Sequence, residues 1–518
     1  MKDITSSVYN FEELIQGNFH YVDKTEYIWQ LIRTSKEMIF LSRPRRFGKS
    51  LTLSTLKAVF EGKKELFKGL AIYDKSYDWK AYPVIHLDFS NCDVRTPEDL
   101  SDYLNWQLIN IADSYHLQLR GEQLTVRFEN LISDIASAKQ EKVVILVDEY
   151  DKPILNNISR NDLVDFLNIL KGFYSNIKKT ESKQRFSFIT GVSKFCHVSL
   201  FSDLNNLTDI TMDARYATML GYTQEELESN FGEYIVELAG EQNPGDYKLK
   251  MKKWYNGYRF HKKAKTVYNP VSLAKFFESG GDFNNYWFST GTPSFLIDLA
   301  KQKNFDFQAA LKDPVPQVAF SAFEINDIDP LTLLLQTGYI TIKGTVERFN
   351  QTWYYLDFPN LEVSSVFSAY ILNSYTCKTQ TGVVQFAAEI AIALQDGNLK
   401  KLRKVLEVFF AGIPYDIHKK NEAVFQTIFF SIFRLLGQYV EAESTTNDGR
   451  IDAVVQTQNA IYLFEFKMDN DPSAMEQIRQ KEYFKKYLLD SRDIYMIGVN
   501  FDAVKGNLIG WKEEKIEK

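Results

Sequence analysis

Arg43-Pro44-Arg45-Arg46-Phe47-Gly48-Lys49-Ser50 is the stretch on which the reading of this chain turns. It follows the apolar run Met38-Ile39-Phe40-Leu41 and precedes a segment of helical periodicity over 51–60. A strand that turns into a helix through Gly-Lys-Ser is the setting of a phosphate-binding loop. In such a loop the backbone N–H groups at the helix N-terminus surround phosphate oxygens, the lysine reaches the β- and γ-phosphates, and the hydroxyl binds Mg²⁺. Lys49 and Ser50 occupy those two places, and Arg45, Arg46, Phe47 and Gly48 form the rest of the loop. The common pattern carries glycine where this chain has Arg43, so a Gly-Lys-Ser that merely caps a helix is the competing explanation.

A second motif decides between the two. Val143-Val144-Ile145-Leu146-Val147-Asp148-Glu149 is an apolar strand ending in two acids. At the carboxyl edge of a parallel sheet, Asp148 would position Mg²⁺ and Glu149 would orient or deprotonate an attacking water. Phe186-Ser187-Phe188-Ile189-Thr190 ends another strand in a hydroxyl able to sense a γ-phosphate, and Ser193 is an equal candidate. The expected cofactors are ATP and Mg²⁺.

Together with Val84-Ile85-His86-Leu87, these short apolar runs alternate with helix-length segments up to about residue 201. The pattern predicts an α/β fold, a P-loop NTPase parallel sheet with helices on both faces. From 209 to 416 the chain reads as mainly helical, with a capping box at Thr223-Gln224-Glu225-Glu226. After Asn421 come a helix, a strand pair turning at Thr457-Gln458-Asn459, a helix over 473–488 and a last strand at Ile494-Tyr495-Met496-Ile497. The expected division is therefore 1–208, 209–416 and 417–518.

The strand pair of the last part carries its own chemistry. Alternation along Ile461-Tyr462-Leu463-Phe464-Glu465-Phe466-Lys467 puts Glu465 and Lys467 on one face and Phe464 and Phe466 on the other. Asp452, in Gly449-Arg450-Ile451-Asp452, can meet Glu465 from the paired strand. Two carboxylates of this kind hold Mg²⁺ through oxygens, the metal polarises a phosphodiester and acidifies a bound water, and a nearby lysine orients or activates that water. A decayed site whose carboxylates form a salt-bridge network is the competing reading.

Both halves find one resemblance. Leu41-Ser42-Arg43-Pro44-Arg45-Arg46-Phe47-Gly48-Lys49-Ser50 and Val147-Asp148-Glu149-Tyr150-Asp151-Lys152-Pro153 resemble the bacterial AAA-ATPase-like family that carries a C-terminal PD-(D/E)XK nuclease-like domain. Trp254-Tyr255-Asn256-Gly257-Tyr258-Arg259-Phe260 and Tyr286-Trp287-Phe288-Ser289-Thr290-Gly291-Thr292-Pro293 are similar to further blocks of that family, in which an arginine-rich loop replaces the glycine-rich one. The resemblance implies that the last part is a restriction-endonuclease-like α/β domain with Asp452, Glu465 and Lys467 as its core. It further implies Glu422 as the helical acid of the metal site, and Gln477, with Tyr483 close behind, as the glutamine found in some such cores. Lys467 and Gln477 would face nucleic acid.

Composition bounds the remaining possibilities. At ~150 residues per domain, 518 residues suggest roughly three domains. Hydrophobic residues at 45% and charged residues at 25%, with 13 Pro and 25 Gly, exclude a disordered or fibrous chain. A net charge of −6 gives no global attraction to polyanions, so any nucleic-acid site is local. Cys92, Cys196 and Cys377 form no CxxC pair, which argues against a disulfide framework and for a cytoplasmic setting. No basic-then-apolar leader opens the chain and no apolar run approaches the ~20 residues of a membrane span.

Between Lys248 and Lys265 stand eight Lys or Arg and no acid, interleaved with Trp254, Tyr255, Tyr258 and Phe260. The stretch either grips phosphates and stacks bases or packs its rings inward while its lysines stay solvated. Arg215 and Arg259 are the candidate arginines for γ-phosphate stabilisation, and His197 reads as structural. The expected partners are ATP and nucleic acid, DNA before RNA, with no membrane and with an oligomer open. The expected function is an ATP-binding, ATP-hydrolysing protein joined to a metal-dependent nuclease. Its alternative is a nucleotide-controlled switch or scaffold that binds nucleic acid or protein without cutting.

Overall fold

Five strands build the first sheet: β1 (Glu37–Ser42), β2 (Val84–Asp88), β3 (Val143–Asp148), β4 (Gln184–Gly191) and the short β5 (Thr208–Asp209). Their order is β2-β3-β4-β1-β5, and every neighbouring pair is parallel. β3 is buried along its whole length, which explains why its sequence is apolar without alternation and shows that both faces of the sheet are covered. Helices Lys49–Phe60, Pro97–Ser114 and Leu124–Lys139 pack on the strands, and Leu163–Lys179 packs on the latter two. The chain leaves β1, crosses to the far edge at β2, and steps back through β3 and β4 to β1. The carboxyl ends of β1, β4 and β3 therefore lie side by side, where an open α/β sheet binds its ligand.

The computed structural model describes residues 2–34, 37–158, 160–194, 206–290, 294–303, 305, 307–320, 329–376, 378–413, 421–437, 441–443, 453–468, 473–502 and 508–517. Two compact units are distinguished by packing. Residues 1–286 together with 318–342 form one, and 287–317 together with 343–518 form the other.

Helices Gln224–Ala239, Pro244–Tyr255 and Pro270–Glu278 follow the first sheet. The capping box forms as expected: Thr223 Oγ1 accepts from the Glu226 N–H at 3.2 Å and Glu226 Oε2 accepts from the Thr223 N–H at 2.8 Å. Phe231, Tyr247, Met251, Tyr255 and Phe276 share one buried cluster. Tyr255 and Tyr258 are buried while Lys252 and Lys253 are exposed, so the basic stretch packs these rings inward and they offer no base-stacking platform. The mainly helical middle also holds a small sheet that its sequence did not announce, β6 (Val315–Pro316), β7 (Thr341–Arg348) and β8 (Gln351–Asp357), in the order β6-β8-β7.

The last sheet contains β9 (Glu441–Glu443), β10 (Ala453–Gln456), β11 (Ala460–Met468), β12 (Asp493–Phe501) and β13 (Leu508–Lys515), ordered β13-β12-β11-β10-β9. β11 and β12 are parallel and the other neighbours antiparallel. Phe429 and Phe433 of helix Asn421–Leu436 cover one face, with rings 4.2 Å from Phe466 and 5.2 Å from Phe464. Met475 and Ile478 of helix Ser473–Gln480 cover the other, against Ile461 and Leu463. The helix expected over 473–488 ends at Gln480. Glu482 takes a left-handed φ of 50° and a 3-10 turn, Tyr483–Tyr487, follows. Among the described residues no helix is long and apolar enough to cross a membrane.

Candidate nucleotide and metal-carboxylate sites

Gly48 caps the helix Lys49–Phe60 with φ 89°, and Arg46 two residues earlier has φ 68°. Two left-handed residues in so short a stretch fold the chain back over its own strand end. Non-glycine residues in this region concentrate at functional sites, and Glu149 at φ 49° is another here.

Lys49 is buried and donates through Nζ to the carbonyl oxygens of Arg43 at 3.1 Å and Pro44 at 3.2 Å. Burial lowers its pKa, opposed by the neighbouring charges of Glu149, Asp148 and Asp151. Burial likewise pushes the Asp148 carboxyl up to about 6, held back by a hydrogen bond from Ser50 and by the Lys49 charge. The fold thus brings Lys49, Ser50, Asp148 and Glu149 together. A hydroxyl and a carboxylate, both hard oxygen donors in mutual contact, suit Mg²⁺. Glu149 is partly exposed, and its N–H donates to Asp148 Oδ1 at 2.9 Å.

Other loop residues are placed differently from one another. Phe47 is buried, its ring edge-on to Tyr258 at 4.8 Å and Phe260 at 5.3 Å, so the ring belongs to the core. Arg46 donates to the Tyr286 carbonyl at 2.5 Å, and Arg45 is exposed. Arg43, which stands in place of the usual glycine, points beneath the loop. Its guanidinium donates to the carbonyls of Ser42 at 2.9 Å, Thr211 at 2.7 Å and Tyr216 at 3.2 Å, and lies 4.2 Å from the Phe260 ring centre. The arginine therefore fastens the loop to 211–216, a role that no motif reading revealed.

Thr190 and Ser193 are both fully buried with their hydroxyls engaged. Thr190 Oγ1 donates to the Leu41 carbonyl at 2.7 Å, and Ser193 Oγ donates to Asp151 Oδ2 at 2.6 Å. Sequence reasoning passed over Asp151 as a functional residue. Its signal was a third acid two residues beyond Glu149, but only the fold shows that it is buried. Arg215 is exposed and paired with Asp213 at 2.6 Å. Arg259 lines a cavity of about 50 Å³ that also touches Pro44, Gln336 and Gly338.

In the last sheet, Glu465 lies on the central strand β11 and is 1% exposed. Lys467 Nζ stands 3.7 Å from Glu465 Oε1, so the two share a face as alternation required. Glu465 pairs in register with Gly498 on β12. The missing side chain there lets helix Ser473–Gln480 approach closely, and this helix carries the partly exposed Gln477. Tyr483 packs beside the same cluster. Asp452 lies outside the described residues, although its neighbour Ala453 pairs with Phe464, the neighbour of Glu465. Glu422 opens helix Asn421–Leu436, and its side chain is likewise outside the described set. Cys196, His197 and Cys377 also fall outside it, whereas Cys92 is a buried free thiol. No group of three His, Cys, Asp or Glu able to hold a metal occurs among the described residues.

Comparison with known proteins matches residues 6–201 to the AAA-ATPase-like family, described as a predicted AAA-ATPase, and residues 420–511 to the PD-(D/E)XK nuclease superfamily. An Azotobacter chroococcum mcd 1 protein, named as the uncharacterized protein in vnfD 5'region, is 36% identical over 527 residues, covering 99% of each chain. The Aeropyrum pernix ORC2 protein, solved in ADPNP-ADP complexes, aligns over 84% of this chain and 86% of that one at 11% identity, with a TM-score of 0.29 that carries no structural weight. The two matched regions and the full-length relative lead to one placement: the chain belongs to the AAA-ATPase-like family and carries a C-terminal domain of the PD-(D/E)XK nuclease superfamily.

Proposed function

We propose that this protein binds and hydrolyses ATP with Mg²⁺ and that its last domain is a Mg²⁺-dependent nuclease acting on DNA in preference to RNA. The proposed division of labour is an ATPase over 1–208, a helical lid over 209–416 and a nuclease over 417–518, working in the cytoplasm and able to act as an oligomer. The observation that carries the reading is the meeting of Ser50 with Asp148 beside Lys49, at the mouth of a parallel sheet.

In this reading Arg45, Arg46, Phe47 and Gly48 offer backbone N–H groups to the phosphates, Lys49 neutralises the β- and γ-oxygens, and Ser50 and Asp148 hold the metal. Glu149 orients the water, and Thr190 or Ser193 senses the γ-phosphate only on giving up its present bond, to the Leu41 carbonyl or to Asp151. At the second site Glu465, with Asp452 and Glu422, would hold Mg²⁺, Lys467 would orient the attacking water, and Gln477 would contact the strand. Bound there, the metal supplies Lewis-acid polarisation of the scissile phosphate. A lysine 3.7 Å from a fully buried carboxylate supports that assignment.

Cleavage of supercoiled and single-stranded DNA by the purified protein in Mg²⁺ or Mn²⁺, with and without ATP, tests the nuclease. Loss of cleavage with chelator and in Lys467→Ala supports it, and a comparison with Lys49→Ala shows whether ATP controls it. Folded, ATP-binding protein that cuts nothing would favour the binding-only switch instead. Phosphate release by wild type and Glu149→Gln tests the ATPase.

A further inference from the structure

Asp151 is 1% exposed, yet it is a carboxylate. It accepts the Val192 N–H at 3.1 Å, the Ser193 N–H at 2.7 Å and the Ser193 hydroxyl at 2.6 Å. Tyr150 reinforces the same junction. Its N–H donates to the Thr190 carbonyl at 3.1 Å and its hydroxyl to the Ser193 carbonyl at 2.8 Å. Residues 150–151, just past the end of β3, are thereby fastened to 190–193 at the end of β4. A β-carbon on Gly191 would fall 2.4 Å from Asp151 Oδ1 and 2.6 Å from the Tyr150 ring, so the junction closes only over a glycine.

A buried carboxylate is costly unless its oxygens are hydrogen-bonded and a cation is near. Both conditions hold, since Lys49 lies close enough to act on its charge. Asp151 is thus tied to the end of β4, with the loop lysine near enough to act on its charge. Glu149 sits two residues before it in a left-handed conformation, so the direction of that carboxylate depends on a turn whose far end Asp151 anchors.

We infer that Asp151 is a positioning residue for ATP hydrolysis, tying the turn that carries Glu149 to residues 192–193 at the end of β4 so that the Glu149 carboxylate is held toward the γ-phosphate. The inference rests on the ATPase reading and adds a residue to it. Asp151 does not touch the nucleotide. It acts through Glu149, and its loss should appear in turnover and not in affinity.

The test is phosphate release together with calorimetric titration of Mg²⁺-ATP into full-length wild type, Asp151→Asn, Ser193→Ala and the double variant, with melting curves to establish folding. Asp151→Asn is expected to lower kcat about tenfold or more while Kd for ATP stays within about twofold, because misplaced catalytic groups cost rate. Ser193→Ala should give a smaller fall, and the double variant should match Asp151→Asn, since the serine acts through the carboxylate. Unchanged kcat in folded Asp151→Asn, additive losses, or a parallel weakening of binding would each overturn the inference. Should Asp151→Asn not fold, Ser193→Ala decides alone: lowered kcat at unchanged Kd supports the inference and unchanged kcat overturns it. Wild type that binds ATP and releases no phosphate overturns the ATPase reading itself and the inference with it. Wild type that turns over while Asp151→Asn turns over equally well overturns the inference alone.

Discussion

Gly338 stands so close to Pro44 that a β-carbon on it would fall 2.6 Å from the proline ring. It ends helix Pro330–Thr337 with φ 87°, so both its backbone and its surroundings demand glycine. The residue it presses on is in the phosphate-binding loop, and the Pro44 carbonyl accepts from Lys49. Gly338→Ala should therefore destabilise the protein by about 1–3 kcal/mol, as overpacking does, and weaken ATP binding as the loop is displaced. Denaturant unfolding and titration of Mg²⁺-ATP measure the two effects. Retained affinity would show that the loop tolerates the push.

The Lys49 ammonium interacts with three buried or half-buried acids, Glu149, Asp148 and Asp151. Mg²⁺-ATP is expected to raise the Tm of wild type and not that of Lys49→Ala, since a ligand stabilises only the form it binds. Without nucleotide the variant should melt below wild type, because the acids lose their neighbouring positive charge. Thermal scans with and without Mg²⁺-ATP check both parts.

Asp148 gives a pH signature in the nucleotide-free protein. Its folded pKa, about 6, lies above its ordinary 3.8, so between these values the folded state keeps a proton that the unfolded chain has released. The corresponding stability is present at low pH and is lost as pH rises through about 6. Asp148→Asn stays neutral throughout. Its Tm relative to wild type should climb by a few degrees between about pH 4 and pH 6 and then level off, on the scale of Tm shifts usual for domains of this size. A difference that is flat across the range would show that the carboxyl is not held up by burial.

Gly498 makes room for the helix beside Glu465. A β-carbon there would meet Met475 Cγ at 2.9 Å and Ala474 Cβ at 3.2 Å. Gly498→Ala should cost about 1–3 kcal/mol and reduce metal-dependent cleavage by shifting the helix that carries Gln477, while ATP turnover is unchanged. Unfolding curves and paired cleavage and phosphate-release assays test this.

Much of this architecture was legible because burial leaves a plain imprint. β3 is apolar at five consecutive positions and ends in two acids, and in the structure it is buried throughout with those acids at its mouth. Glu465 and Lys467 could be placed on one face because strand alternation is a fixed geometric period. Other features left no comparable imprint. β13, Leu508-Ile509-Gly510-Trp511-Lys512-Glu513-Glu514-Lys515, is an edge strand with much of its length exposed, so its charges hid it. β5 is two residues long. The helical periodicity after Ser473 ran on past the break because nothing in Lys481-Glu482-Tyr483 announces a left-handed residue. Arg43 and Asp151 look like surface charges in one dimension, and their burial is a tertiary fact: their partners lie about 170 and about 40 positions away.

The excursion of 318–342 into the first compact unit has a consequence for how the chain is made. Helix Pro330–Thr337, with Gln336 accepting from the Lys194 N–H at 2.7 Å and Gly338 set against Pro44, is synthesised only after 287–317 has emerged. The first unit cannot be completed on the ribosome until residue 342 is clear of the exit tunnel, by which time part of the second unit already hangs outside. No single cut of the chain separates the two units with all of their segments.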